Sequence, residues 1–549
     1  MSLVQVIPLG GAGEIGKNCT VVRQDDDIVV IDCGLSFPHE EQYGVDIVIP
    51  NIQYLRDNRD KIKGIFLTHA HEDHVGALAF VLPELKVPVY ATMFTEALLR
   101  SKLNEKIRGF EPHIIRIKPG DVVKAGSMTV EPILVTHSIP ETCAMAVTTE
   151  HGVVLFTADF KFDFSPVDKR LTNMKRLAEL GDEGVVLLLS DSTNVDRKGW
   201  GPSESIVGDS LKQIFSEAKG RVLLTTFSSN IHRMQQAITA AKETGRKVTV
   251  AGRRMDQTIN LCQSMGYLKI PDGVYVRLED IGSYAPNELV IFVTGSQGEP
   301  SAALSQMSRK EYSRLRVNEG DTILYSARPI PGNEGVIWRT INQLIQLGAD
   351  VIMDHPQPIH VSGHAYQDEL KMMINLTKPF YIAPVHGEPR HQKLYLELAE
   401  GMGHPTHRMF TIHNGATLCI DEQRAYVGET VEHGEVLIDQ NAGYQVSSGV
   451  LTERYSMAHN GVVVVSAVVD MNSGALSGKP QIEARGFCGT KADIEDAMDE
   501  LMRTLKNAKP NEITTRESLA DLLTDPVRRT LGRASRQKPV VIPMISFLK

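Results

Sequence analysis

Cysteine is scarce. Six residues in 549, at positions 19, 33, 143, 262, 419 and 488, include no C-x-x-C pair. That scatter argues against a disulfide framework or a Cys-rich zinc site and points to reduced thiols in a cytosolic protein. Long apolar runs are lacking too. None reaches the ~18–20 residues a membrane helix needs, and the longest, Val462 to Val469, is interrupted by Ser466 and reads as a buried strand. The start, Met1-Ser2-Leu3-Val4-Gln5-Val6, has no basic stretch before an apolar one, so no signal peptide is expected. There is no basic excess: 58 Lys and Arg stand against 67 Asp and Glu, a formal charge of −9. This balance speaks against coating nucleic acid by bulk charge and leaves room for a local basic groove. Repeats and low-complexity segments are absent. The remaining composition is that of an ordinary globular chain, with length for about three to five domains.

The first half reads as closely spaced short strands: Leu3–Pro8, Thr20–Arg23, Ile28–Asp32, Ile62–Thr68, Val87–Ala91, Met128–Val135, Ala144–Thr149, Val153–Thr157 and Val185–Leu189. Helical patterns lie at Val75–Leu85 and Phe94–Lys106. From about Ser203 helices and strands alternate, as in a parallel sheet covered by helices. The helices are Ser205–Ala218, Ile231–Thr244 and Asn333–Leu347. The strands are Val222–Phe227, Lys247–Ala251, Leu289–Thr294, Thr322–Ala327 and Asp350–Met353. Short strands return after Phe380, at Thr411-Ile412, Ala416–Ile420 and Arg424–Val427. An α/β unit is therefore expected inside a β-rich domain. The expected division is 1–205 and 366–447 for the β-rich domain, 206–365 for the insertion, 448–461 for a linker and 462–549 for a small α+β domain. The last has helices at Ala492–Leu505 and Thr515–Arg529 and a final strand, Val540–Ile545.

The informative stretch is Thr68-His69-Ala70-His71-Glu72-Asp73-His74. It lies where a strand ends and a helix begins. On the extended part, residues two apart point the same way, so His69 and His71 can grip one ion. The chain then turns into a helix, and Asp73 and His74 face a second. Imidazole and carboxylate together suit Zn²⁺ or Mn²⁺. Further lone polar residues close apolar strands: Asp32, His137, Asp159 and His386. Each alone is an ordinary turn or cap residue; together with the cluster they form a ligand set. Gly11-Ala12-Gly13-Glu14-Ile15-Gly16 matches a dinucleotide fingerprint, but Asn18 to Val22 continues as a strand. No helix N-terminus follows to receive a pyrophosphate, so a tight loop beside the metal cluster is expected instead.

Asp32, the H-x-H-x-D-H motif, His137 and Asp159 resemble, motif by motif, the metallo-β-lactamase superfamily. The insertion carries the resemblance to its β-CASP nuclease branch, through Asp191 in Ser190-Asp191-Ser192-Thr193-Asn194, His364 in Ser362-Gly363-His364-Ala365 and His386 in Pro384-Val385-His386-Gly387-Glu388. Gly10 to Asn18, Asp32 to Pro38, Phe227 to Asn230, Thr294 to Pro300 and the C-terminal domain resemble the bacterial ribonuclease J family over essentially the whole chain. The resemblance implies an α/β fold: a metallo-β-lactamase αββα sandwich with an inserted β-CASP domain and a small α+β C-terminal domain. It implies two divalent ions per subunit, Zn²⁺ or, for activity, Mn²⁺. His69, His71 and His137 would hold one, Asp73, His74 and His386 the other, with Asp159 bridging and Asp32 orienting the loop from behind.

The implied activity is hydrolysis of RNA: 5′→3′ exonuclease action on 5′-monophosphate ends, plus endonuclease cutting, in RNA maturation and mRNA decay. A hydroxide activated by two metals would attack phosphorus and leave a 5′-phosphate and a 3′-hydroxyl. Asp73 would accept a proton, His364 would protonate the leaving oxygen or hold the phosphate, and Asp191 is the third catalytic candidate. Ser362, Gly363, His364 and Ala365 would bind a phosphate near the 5′ end. Phe37 is either a core residue or a platform for a terminal base. Ser228, Ser229 and Asn230 either cap the helix behind them or contact RNA phosphates. Arg253, Arg254 and Arg328 either touch RNA backbone or sit on a solvated face. Single-stranded RNA, a homodimer or tetramer through the C-terminal domain and other RNA-decay proteins are the implied partners, in the cytoplasm and away from membranes. The competing readings are a DNA nuclease, a small-molecule metallo-hydrolase and a scaffold without activity.

Overall fold

The computed structural model describes residues 3–39, 41–107, 109–330, 333–353, 355–439, 444–470, 476–508, 516–535 and 537–548. They form two compact units. The first comprises residues up to 36 and 49–435; the second comprises 37–48 and 436 onward.

Two sheets dominate the first unit. One has eight strands, including Val4–Gly10, Cys19–Gln24, Asp27–Ile31, Ile62–Phe66 and Val89–Ala91. The other has six, in the order Tyr381–Val385, Val185–Asp191, Gly152–Phe156, Cys143–Thr149, Met128–Leu134 and Val123–Ala125. Alternation along the strands gives each sheet an apolar inner face. Val6, Val22, Val29 and Phe66 from one meet Met145, Val147, Phe156 and Leu189 from the other in one buried core. The opposite face of the six-stranded sheet packs Ala144, Ala146 and Leu155 on Leu177, Leu370 and Tyr395 of the helices Met174–Glu183, Gln367–Thr377 and Pro389–Gly401. Burial on both faces explains why Val185–Asp191 has almost no polar residue before its end.

Val185–Asp191 and Tyr381–Val385 are parallel neighbours, Leu189 opposite Ala383 and Asp191 opposite Val385. The chain between them builds a separate sheet. Its five strands, Lys247–Ala251, Leu289–Val293, Val222–Thr225, Thr322–Tyr325 and Asp350–Ile352, are all parallel. Helices cover both its faces. One of its cores includes Ala70, Phe94, Leu98 and Ile139 of the sandwich, so the insertion is packed against the domain that it interrupts.

In the second unit, Val462–Asp470 lies antiparallel to Gln481–Arg485 and parallel to Val540–Leu548. Lys491–Asn507 and Arg516–Ser535 pack on one face of that sheet. Thr515, expected to open the last helix, lies outside the described residues.

The structure differs from the expected elements in three places. The stretch 448–461, expected as a linker, is mostly the helix Ser448–Asn460, capped by the Ser447 side chain. Thr411-Ile412 is not a strand. The bridge nearest to it joins Met409 to Ile382, and Ile412 is buried in the apolar core between the two sheets. The helices Met174–Glu183, Arg253–Ser264, Gln367–Thr377 and Pro389–Gly401 had not been read from the pattern.

Candidate metal centre

The polar residues that close the central strands meet at one edge of the sandwich. His69 follows Ile62–Phe66, Asp32 follows Asp27–Ile31, His137 follows Met128–Leu134, Asp159 follows Gly152–Phe156, Asp191 ends its strand and His386 follows the neighbouring one. Asp32, Ala158 and His386 have φ of 60°, 56° and 50°. Non-glycine residues in this left-handed region cost on the order of 1–3 kcal/mol each and gather where function fixes the backbone.

Three groups of ligand atoms form there, each within 4.8 Å: His69, His71, His137 and Asp159; Asp73, His74, Asp159 and His386; Asp159, Asp191, His364 and His386. In the first, His71 Nδ1 lies 2.9 Å from His69 Nε2 and 3.2 Å from His137 Nε2, and Asp159 Oδ2 lies 3.7 Å from both latter nitrogens. Such convergence of ring nitrogens is repulsive unless a cation or shared proton lies between them. In the second, His386 Nε2 lies 3.2 Å from Asp73 Oδ2, and His74 Nε2 lies 3.3 Å from Asp159 Oδ1. Asp159 is common to all three groups. Its Oδ1 is buried and accepts no hydrogen bond from the described residues. A buried carboxylate oxygen without a donor, facing imidazoles, fits a metal ligand.

The surroundings hold the rings in place. Asp32 accepts from the Thr68 amide at 2.8 Å and from its hydroxyl at 2.8 Å, and pairs with His74 Nδ1 at 2.7 Å, turning His74 Nε2 inward. His137 Nδ1–H donates to the Gly363 carbonyl at 2.8 Å. His364 Nδ1 pairs with Asp191 Oδ2 at 2.8 Å, and Asp191 also accepts from Thr193.

Electrostatics divides the histidines. Burial pushes His69 well down, with His74 and His71 adding to it; it takes His71 to about 4 and His137 to about 3 against opposing carboxylates. Burial also works against a charge on His74 and His386. There Asp159 and its neighbouring aspartates outweigh it, raising His74 and taking His386 up to about 10. Protons on these two therefore balance the carboxylates in metal-free protein. A metal ion takes the same lone pairs. Loading at pH 7.5 is expected to release about three protons per chain, two from His74 and His386 and one from the water that becomes hydroxide, and none from His69, His71 or His137. Calorimetric metal titration in two buffers of different ionisation heat measures this number.

Gly363 is demanded by contact. A Cβ there would lie 2.6 Å from both Cε1 and Nδ1 of His137. Gly363→Ala is expected to displace that ring and weaken metal binding by roughly 10–100-fold, the effect of losing an orienting partner; a competitive chelator titration checks it.

All seven expected metal ligands, with Asp32, Asp191 and His364, thus come together. Ser362 stands beside them: its hydroxyl accepts from Asn194 at 2.8 Å. Ala365 is buried in the apolar core, leaving only its backbone for a ligand. Asn230 caps Ile231–Glu243 through the Arg233 amide, while Ser228 and Ser229 are half-buried at the carboxyl end of the inserted sheet. Phe37 is 51% exposed, which excludes the core reading; it belongs to the second unit. Sequence reading missed Asn18, which donates to the Asp73 carbonyl, and Thr68, Thr193 and Asn194. All four stand inside quoted motifs, Asn18 in Gly10 to Asn18, Thr68 in Thr68 to His74, and Thr193 and Asn194 in Ser190 to Asn194, without a role given to them there.

Stacked sheets with His and Asp at one edge and a parallel-sheet insertion define a metal-dependent hydrolase of the metallo-β-lactamase and β-CASP class. The model of the metallo-beta-lactamase superfamily matches residues 12–210, and that of the Zn-dependent metallo-hydrolase RNA specificity domain matches 350–409. The ribonuclease J beta-CASP domain matches 219–344 and the ribonuclease J C-terminal domain 449–548. The chain is 36% identical to ribonuclease J2 of Bacillus subtilis over 99% of its own length and 98% of the relative's. It is 38% identical to ribonuclease J of Thermus thermophilus over 99% and 95%. A solved protein of unknown function from Enterococcus faecalis shares the fold, with TM-score 0.56 at 17% identity over 76% of this chain and 100% of that one. The chain belongs to the ribonuclease J family and is a metal-dependent ribonuclease. Among the described residues no helix is long and apolar enough to cross a membrane.

Proposed function

We propose that this enzyme degrades single-stranded RNA from 5′-monophosphate ends and also cuts internally, leaving 5′-phosphate and 3′-hydroxyl products. The observation that carries the reading is the sharing of Asp159 among three ligand groups, one of which contains the His364–Asp191 pair. His69, His71 and His137 would hold one divalent ion and Asp73, His74 and His386 a second, with Asp159 within reach of both groups. Zn²⁺ suits this donor set, with Mn²⁺ an alternative for turnover. Ions held there would lower the pKa of a nearby water toward neutrality and offset charge on a phosphate at the site.

The chain's own groups do the rest. Asp73, 32% exposed at its side chain, accepts a proton at the open side. In metal-free protein burial opposes a charge on His364, but Asp191 and Asp159 outweigh it and raise its pKa; with ions bound, Asp191 at Nδ1 remains to support an imidazolium that donates to the leaving ribose oxygen. Asp191 holds His364 Nδ1, which directs Nε2 toward Asp159, 4.0 Å away. The Ser362–Ala365 loop holds the phosphate of the 5′ end, with Ser228 and Ser229 as further contacts. Phe37 offers an exposed ring to a base. Residues 206–365 act as the insertion and 462–549 as an assembly domain for dimers or tetramers. We place the enzyme in the cytoplasm, where its cysteines, all free in the structure, stay reduced.

The test is a comparison of 5′-monophosphorylated, 5′-triphosphorylated and circular forms of one RNA, beside the DNA equivalent. Mononucleotides from the monophosphorylated form and slow internal cuts in the circle are expected. Equal rates on mono- and triphosphorylated RNA would remove the 5′-end reading, and preference for DNA would remove RNA as substrate.

A further inference from the structure

Two buried side chains of opposite charge, Lys161 and Glu369, take no part in the chemistry above. Lys161 is 2% exposed and Glu369 is fully buried. Burying an ammonium or a carboxylate is costly unless hydrogen bonds replace its hydration. Here the main chain supplies them. Lys161 Nζ donates to the carbonyls of Pro202 and Ser362, at 2.6 and 3.2 Å. Glu369 accepts from three amides, Phe162 through Oε1 and Gly201 and Tyr366 through Oε2, each at 2.8 Å.

These partners belong to three segments. Lys161 and Phe162 continue the chain just past Asp159. Residues 192–203 lead from Val185–Asp191 into the insertion, and residues 355–366 lead back from it to the helix Gln367–Thr377. Each charge therefore joins both crossovers, Lys161 at Pro202 and Ser362, Glu369 at Gly201 and Tyr366. The crossovers are also bonded to each other. The Gln367 amide donates to the Arg197 carbonyl and the Asp368 amide to that of Gly199, both at 3.0 Å. Asn194 Nδ2 donates to Ser362 Oγ at 2.8 Å and to the His364 carbonyl at 3.1 Å. On its other side Lys161 is tied to the sandwich. Its amide donates to the Thr136 carbonyl at 2.9 Å, and its carbonyl accepts from the Thr136 hydroxyl at 2.5 Å. Thr136 precedes His137. One short segment thus follows Asp159, holds the neighbour of His137 and grips both crossovers.

Apolar side chains would fill the same volume without the cost of desolvating a charge. What the two charges supply is a fixed geometry. We propose that Lys161 and Glu369 are positioning residues that set the distance between a phosphate held by the Ser362–Ala365 loop and the metal centre. The proposal rests on the reading of that loop as a phosphate site. Lys161 holds the carbonyl of Ser362, where the loop begins, and Glu369 holds the amide of Tyr366, directly after it ends. Between them the Gly363 carbonyl accepts from His137 Nδ1 at 2.8 Å. The loop is fixed at both ends, one by each charge, and touches a metal ligand in its middle. Released at either end, it leaves the metal ligands in place but no longer presents a phosphate at a constant distance from the reacting phosphorus.

The experiment compares the full-length, metal-loaded enzyme with three variants. Lys161→Met fills the same space and donates to neither carbonyl. Lys161→Arg keeps the donors and the charge. Glu369→Gln leaves one acceptor oxygen for the three amides. Readouts are kcat and KM on 5′-monophosphorylated, 5′-triphosphorylated and circular RNA, hydrolysis of bis(p-nitrophenyl) phosphate and metal content. For Lys161→Met the preference for monophosphorylated over triphosphorylated RNA is expected to fall by roughly 10–100-fold, the effect of losing an orienting partner, and the loss should lie chiefly in KM. Glu369→Gln should shift it in the same direction and less far. Lys161→Arg should recover most of it. Metal content and hydrolysis of the small diester should fall far less than the preference does. An unchanged preference in both Lys161→Met and Glu369→Gln would overturn the proposal. Parallel loss of RNA cleavage, diester hydrolysis and metal, with no recovery in Lys161→Arg, would show a purely structural role and overturn it as well. If Lys161→Met does not fold, Glu369→Gln decides. If wild type shows no preference for the monophosphate, the 5′-end reading fails on its own account. KM on circular RNA then decides: a rise in Lys161→Met supports the positioning of an internal phosphate, and an unchanged value overturns it.

Discussion

Asp159→Ala is expected to lower RNA cleavage by roughly 10³-fold or more, with loss of bound metal, because hydroxide formation at neutral pH depends on the ions. No other residue enters all three ligand groups. Its carboxylate is buried among His69, His74, His137, His364 and His386, and His386, His74 and His364 hold it well below the usual carboxylate range against the cost of burial. Removing it leaves His74, His386 and His364 without their shared counter-charge, so the ions lose a ligand and the imidazoles lose their poise together. The sheets beneath are apolar and closed, and the variant should keep its circular dichroism spectrum. Metal content by plasma spectrometry and cleavage of a labelled RNA are the two readouts. A variant that binds full metal and cleaves normally would remove Asp159 from the centre.

The second large effect belongs to His364. His364→Ala is expected to reduce kcat on RNA by about 10²–10⁴-fold, the range for a lost general acid. Its metal content should stay at the wild-type level, because His364 reaches only the third group, while the first two keep all their members. Bis(p-nitrophenyl) phosphate separates acid catalysis from binding. Its leaving group needs no proton, so the variant should lose far less activity on it than on RNA. Equal losses on both substrates would assign His364 to holding the phosphate instead. Asp191→Asn should show the same pattern more weakly, because the hydrogen bond to Nδ1 survives while the charge that favours the imidazolium does not.

Much of this centre was legible in the chain. His69, His71, Asp73 and His74 lie within six residues, and the other ligands each end an apolar strand; a sandwich collects strand ends at one edge. The insertion was legible because helix and strand alternate between two segments that pair directly, Val185–Asp191 and Tyr381–Val385. What was not legible depends on contacts between distant segments. Nothing in Gly363 alone announces that His137 lies against it, and nothing in Asn18 announces the Asp73 carbonyl. The helix Arg253–Ser264 begins directly after a strand, with Gly252 at its cap and no side-chain cap bond, so the usual start signal is missing. The segment 448–460 reads as polar linker because its apolar residues form no regular stripe, and none of its side chains is buried.

Metal content and cleavage of a 3′-labelled, 5′-monophosphorylated single-stranded RNA, measured together for wild type and His74→Ala, test the central claim most directly. The account predicts two divalent ions per chain and release of mononucleotides by wild type, with fewer ions and no cleavage for His74→Ala. Wild type that is fully loaded with Zn²⁺ or with Mn²⁺ and leaves the RNA intact in both cases would contradict it, as would a His74→Ala enzyme that cleaves like wild type.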